Sequence, residues 1–196
     1  MSDLFWSAAP DRYLSYDEQR INAAIIWNYF TDMGWSIPAI CALLGNMQSE
    51  SSINPGIWQD FKVGNLNVGY GLVQWTPATK IQNWILETYG FDDYDNGDFQ
   101  IMRIQWELEN GVQWSISEEF PSTFYEFTRS EKQPAYLAEM FMVNYEQPYD
   151  TSEVARKYRR DNADFWYRYF TGKNPPHYPR SPLLLLYKYK KRRFKR

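Results

Sequence analysis

Glu50 closes an apolar helical stripe. Ile40, Leu43, Leu44 and Met47 follow the i, i+3, i+4, i+7 spacing of a buried helix face, and Glu50 takes the next place on it. A carboxylate there is set against core rather than water, near the negative end of the helix dipole. Both effects favour the protonated acid. An acid held in that form is the proton donor that cleavage of a glycosidic bond requires. A Glu near a helix end is ordinarily a solvated surface charge, so the reading depends on what accompanies it. Glu50 lies in Gly45-Asn46-Met47-Gln48-Ser49-Glu50-Ser51-Ser52-Ile53-Asn54-Pro55-Gly56, and farther on comes Gly69-Tyr70-Gly71-Leu72-Val73-Gln74-Trp75-Thr76.

Glu-Ser followed by a loop and Gly-Leu-x-Gln resembles the lysozyme-like superfamily, which includes goose-type lysozymes and lytic transglycosylases. The fuller set, Gly-Asn-Met-Gln-x-Glu-Ser with Asn-Pro-Gly and Gly-Leu-Val-Gln-Trp-Thr, resembles the bacteriophage tail lysozyme family. The likeness runs strongly from Ile21 to Trp114 and more weakly to Gly172, taking in Arg103-Ile104-Gln105-Trp106-Glu107 and Tyr145-Glu146-Gln147-Pro148. It implies cleavage of the β-1,4 bond between N-acetylmuramic acid and N-acetylglucosamine in peptidoglycan, with Glu50 as the acid. It also implies that the Gln74 amide, which donates and accepts at once, meets N-acetyl or hydroxyl groups of the substrate. Trp58, Tyr70 and Trp75 are the expected sugar contacts. Asp60 is the only other acid between Glu50 and Trp75, and the candidate to position a water. Relatives that work with one indispensable Glu leave the outcome open between hydrolysis and attack by the muramic 6-hydroxyl; the tail-lysozyme likeness favours hydrolysis. Glu107 and Glu146 read as buried structural carboxylates.

Composition sets limits around that site. Of 196 residues, 44% are hydrophobic, enough for a core that needs neither disulfide nor metal. Aromatics reach 19%, with nine Trp, sixteen Tyr and twelve Phe. Most must pack the interior, while two or three suit a sugar cleft, where pyranose faces stack on rings. One cysteine, Cys41, excludes an internal disulfide, and one histidine, His177, makes a zinc peptidase or a Cys/His protease improbable. No cofactor and no metal are expected. Asp93-x-Asp95-x-Gly97 lacks the closing Glu of a calcium loop and reads as a solvated turn.

The elements that position Glu50 are marked by their ends. Ser15-x-x-Glu18 is a capping box opening a helix that stops before Gly34. Ser36 caps the next helix, with Pro38 in its first turn, and Asn54-Pro55-Gly56 stops it. Residues 57–75 suit a small β-hairpin or ordered loop. Thr76-Pro77 opens a third helix ending near Gly90, and Asp98 to Asn110 forms a fourth, stopped by Gly111. Further helices are expected near Pro134 to Tyr145 and Thr151 to Phe170. The sum is a mainly α, lysozyme-like α+β domain over residues 1–172, its small β-hairpin or loop lobe forming the glycan cleft.

Residues 173–196 differ in character. A Pro-rich linker leads to Leu183 to Leu186 and a basic-aromatic end that holds 7 of the 21 Lys and Arg, leaving 14 basic residues against 24 acidic elsewhere. Residues 183–196 suit docking onto other virion tail proteins; nucleic acid or an anionic wall polymer is the alternative partner. Met1 to Ser15 shows no secretory signal, and no apolar run approaches a membrane span. A wall-degrading enzyme of this kind is expected in the virion tail, opening the host wall for passage of the genome. An endolysin acting at release, or a tail structural protein that only grips glycan, are the competing readings.

Overall fold

The helix that carries Glu50 runs through the middle of the protein because it has almost no polar face to offer water. The structure, a computed structural model, describes residues 5–172. Among them the α-helices are α1 (Tyr16–Asp32), α2 (Ile37–Ser51), α3 (Thr79–Tyr89), α4 (Gly97–Asn110), α5 (Phe124–Arg129), α6 (Pro134–Phe141) and α7 (Glu153–Thr171). A single 3-10 turn, Gln59–Phe61, lies between α2 and α3, and a π-helical turn, Met142–Glu146, continues α6. Every residue of α2 from Pro38 to Met47 is buried. Helices α1, α5, α6 and α7 surround it, α7 and α6 most extensively. Each Ile or Leu buried there contributes on the order of 1.5–3 kcal/mol. Cys41 is one of these core side chains, and burial pushes its thiol far above the usual range.

The predicted caps form. The Ser15 hydroxyl accepts from the Glu18 N–H, while the Glu18 carboxylate accepts from the Ser15 N–H at 2.8 Å. The Ser36 hydroxyl accepts from the Ala39 N–H. Gly90 and Gly111 end α3 and α4 in the left-handed conformation. Three boundaries differ from expectation. Helix α2 ends at Ser51, ahead of Asn54-Pro55-Gly56, because Ser52 and Ile53 both turn left-handed (φ 53° and 54°). Helix α3 starts at Thr79, leaving Pro77 just upstream with its carbonyl accepting from the Lys80 N–H. The helix from Pro134 widens into the π-helical turn at Met142. Short α5 was not anticipated, although Thr123-x-x-Glu126 is its capping box.

Of the β-hairpin or ordered loop expected over residues 57–75, the structure has the ordered loop. Among the described residues only isolated bridges occur, Trp58 with Tyr70 and Tyr70 with Trp75. Left-handed Asp60, Phe61, Gly64, Gly71 and Gln74 break any extended run, so no strand can propagate. The aromatic excess is mostly core. Trp114 stacks on Phe124 at 4.7 Å and Phe141 on Tyr145 at 4.4 Å, beside Trp35 and Phe127. Among the described residues no helix is long and apolar enough to cross a membrane. The linker and basic-aromatic tail expected over residues 173–196, His177 included, lie outside the described residues.

Candidate active site

The sequence around Glu50 folds into a frame in which side-chain amides and hydroxyls replace regular backbone pairing. The Ser51 hydroxyl donates to the Leu72 carbonyl at 2.9 Å, fastening the end of α2 to the Gly-Leu-Val-Gln loop. Gln100, buried on α4, accepts from the Leu72 N–H at 2.8 Å and donates to the carbonyls of Pro55 and Tyr94 at 2.6 and 2.7 Å. Asn54 accepts from the N–H groups of Ala9 and Gly56 and donates to the Ala9 carbonyl, while Asn22 on α1 donates to the Ile53 carbonyl at 2.7 Å. Buried polar groups of this kind must be paired, so each amide fixes two or three segments at once.

The frame encloses a cleft of about 470 Å³. Glu50 comes from the end of α2 and Glu146 from the π-helical turn; Trp58, Gln59, Asp60, Phe61, Gln74 and Thr76 come from the 57–76 loop; Gln147, Pro148 and the fully exposed Tyr149 come from the segment after the π-helical turn; Tyr13 also lines it. Backbone strain concentrates here. Asp60, Phe61, Gln74 and Gln147 line the cleft at positive φ between 51° and 57°, and Ser52 and Ile53 follow Glu50 in the same state. Non-glycine residues in that region cost on the order of 1 kcal/mol or more each and persist where the surroundings over-determine them, characteristically at functional sites.

The charge centre of the cleft is Glu50, Arg159 and Glu146. Arg159 Nη2 is ion-paired with Glu50 and lies 3.0 Å from Glu146 Oε2, while its Nε donates to the same oxygen at 3.1 Å. Arg159 comes from α7, where Arg159, Ala163, Trp166 and Phe170 form the buried stripe against α2. Glu146 comes from the π-helical turn, a distortion that often marks functional positions. The Glu50 side chain keeps 22% of its surface exposed, toward the cleft, and Glu146 only 4%. Burial, then the neighbouring Glu50 charge, raise the Glu146 carboxyl well above the usual range, against the pull of Arg159. Its Oε1 is buried with no hydrogen-bond partner in the structure.

The predicted site residues divide into two groups. Glu50, Trp58, Asp60 and Gln74 meet at the cleft. Trp58 shows it only an edge, being 4% exposed and packed on Tyr70. Asp60 is solvated on the rim and pairs with Lys62 at 2.9 Å. Gln74 spends part of its amide on the Gly71 carbonyl at 2.9 Å, holding its own turn. Tyr70 and Trp75 do not reach the cleft. Tyr70 is buried between Trp58 and Tyr94, and the Trp75 indole donates to Glu107 at 3.1 Å, so both are corrected from sugar contacts to the loop's foundations. Glu107 is fully buried and also accepts from Arg103 and Tyr145.

Sequence reasoning missed the placement of Glu146, which it had set aside as structural, and missed Arg159. A signal for Arg159 existed: a cation at the head of an apolar i, i+4, i+7, i+11 stripe, answering the carboxylate at the end of the α2 stripe. Among the described residues no group of three or more His, Cys, Asp and Glu side chains is arranged to hold a metal ion.

This helical frame, with a Glu at the end of a buried helix facing a Gly-Leu-Val-Gln loop, agrees with what comparison finds. The chain is 45% identical over 170 residues to "Morphogenesis protein 1" of Bacillus phage B103, a match covering 87% of this chain and 44% of that protein. It thus spans less than half the length of that relative. Residues 21–170 match the family described as phage tail lysozyme, a span that includes Glu50, the 57–76 loop, Glu146 and Arg159. The chain belongs to the phage tail lysozyme family.

Proposed function

We propose that this domain cleaves the β-1,4 bond between N-acetylmuramic acid and N-acetylglucosamine in peptidoglycan. The observation that carries the reading is Glu50 itself. It is a partly exposed carboxyl at the end of a buried helix, lining a cleft that Gln74 and Trp58 also line. Glu50 protonates the glycosidic oxygen as the bond to the anomeric carbon opens. Positive charge then develops on the sugar ring, and the carboxylate left on Glu50 stabilises it. Asp60 on the opposite loop positions the water that completes hydrolysis. Gln74 and the rim rings of Tyr13, Phe61 and Tyr149 hold the sugars, with Tyr70 and Trp75 fixing the loop from below.

The domain acts in the virion tail, opening the wall locally for the genome, and residues 183–196 dock it onto other tail proteins. Family membership and the phage relative named for morphogenesis support this placement. The test is digestion of purified peptidoglycan by the wild type and Glu50→Gln, with products read by mass spectrometry. Reducing muramic ends from the wild type alone are expected. Anhydromuramic ends would reassign the chemistry to a lytic transglycosylase, and intact glycan with both proteins would leave a domain that only grips the wall.

A further inference from the structure

A group that protonates a leaving oxygen must reach the reaction carrying a proton. Glu50 is ion-paired with Arg159, and an ion pair has no proton to give. The same guanidinium also holds Glu146, through Nη2 at 3.0 Å and Nε at 3.1 Å. One cation therefore serves two carboxylates, in a place where the Arg159 and Glu146 side chains keep only 7% and 4% of their surface. A surplus negative charge out of water is costly, and one proton held between the carboxylates removes it.

We propose that Glu50 and Glu146 share a single proton beside Arg159, that Glu146 stores it in the resting site, and that Glu50 takes it when glycan enters and passes it to the leaving oxygen. This rests on the reading of the cleft as a glycosidase site. Two further observations support it. Glu146 Oε1 is buried with no donor to it, so nothing at that oxygen stabilises the charged form. Burial and the Glu50 charge both favour the neutral form of Glu146. The charged groups that act on Glu146 are Glu50 from α2 and Arg159 from α7.

The step balances. The O–H bond of Glu146 breaks as Glu50 takes the proton. The O–H bond of Glu50 then breaks as the leaving oxygen takes that proton and keeps the electron pair of the broken C–O bond. Water forms the new bond to the anomeric carbon and returns one proton to the pair; Arg159 stays a guanidinium throughout. Glu146, only 4% exposed, acts through Glu50, so it is a proton-storing, positioning residue.

Glu146→Gln in the full chain tests this, since the amide keeps the shape and still accepts from Arg159 but stores no proton. The kcat should fall about 10²-fold with KM unchanged. The alkaline limb of the kcat–pH profile should move to lower pH, and Glu146→Asp should restore it in part. An unchanged rate, or a loss that is uniform across pH with the limb in place, overturns the proposal. A second readout needs no activity: infrared difference spectra, wild type against Glu146→Gln, should show a carboxylic acid band persisting at neutral pH. Its absence overturns the shared proton. Its presence in a wild type that leaves glycan intact would sink the glycosidase reading while the shared proton stands.

Discussion

Gly45 on α2 and Ala163 on α7 meet main chain to main chain. A Cβ on Gly45 would stand 2.6 Å from the Ala163 nitrogen and 2.7 Å from the Arg159 carbonyl oxygen. Only glycine allows this approach, and it sets Arg159 on α7 beside Glu50, little more than a turn beyond Gly45 on α2.

Gly45→Ala therefore puts two effects in opposition. Alanine favours a helix over glycine by about 1 kcal/mol. The clash is with backbone that cannot swing aside, and overpacking of this kind costs about 1–3 kcal/mol or more. The clash wins. Chemical denaturation should show net destabilisation, and activity at temperatures where the variant is folded should fall further, because Arg159 moves off Glu50. A stabilised, fully active variant would show that the helices separate without disturbing the site.

Gln100→Ala removes one side chain that serves three loops. It strands the buried Leu72 N–H and Pro55 carbonyl and the partly buried Tyr94 carbonyl. An unsatisfied buried group costs about 1–3 kcal/mol, so a loss on the order of 2–4 kcal/mol is expected once water reaches part of the site. Urea unfolding measures it. The kcat should fall with it, since Leu72 carries the loop of Gln74.

Much of this site is legible in the sequence. The α2 stripe, its Ser36 cap and the Glu50 position follow from spacing and capping chemistry, which act within a few residues. Trp75 and Tyr70 were misplaced because a ring that fixes a loop and a ring that lines a cleft share the same composition; only the partner Glu107, far along the chain, distinguishes them. Glu146 and Arg159 were missed for a related reason. Their meaning comes from a π-helical turn and a helix crossing that bring distant segments to Glu50, and local pattern does not encode either.

Tyr149 stands fully exposed at the cleft rim, with no packing to lose. If it stacks on a sugar, Tyr149→Ala should raise KM about 2–10-fold, matching roughly 0.5–1.5 kcal/mol of ring contact, and leave kcat unchanged. Steady-state kinetics on soluble glycan fragments would separate the two parameters. A change in kcat alone would mean the residue controls the segment holding Glu146 instead.

Stability should respond to pH in opposite directions at two places. Glu18, in the capping box, is pulled down from its ordinary value near 4.5 to about 2, first by the hydrogen bond from Arg12 and then by those from Ser15. A lowered carboxyl contributes stability that is present above its unfolded value and lost as pH falls toward the folded one. Glu18→Gln should therefore flatten the acid side of the stability curve between about pH 4.5 and 2. Glu146 and Glu107 are raised, chiefly by burial. Raised carboxyls stabilise the fold most when protonated, so stability declines as pH climbs from the ordinary carboxylate range through their folded values. Thermal unfolding across this range should show that decline in the wild type and a shallower one in Glu146→Gln. The variant should match or exceed the wild type at neutral pH, because a neutral amide meets no burial penalty for charge. An unchanged alkaline slope in Glu146→Gln, together with lower stability than the wild type at neutral pH, would mean that Glu146 is held as a carboxylate by Arg159 and that the pair is a plain ion bridge.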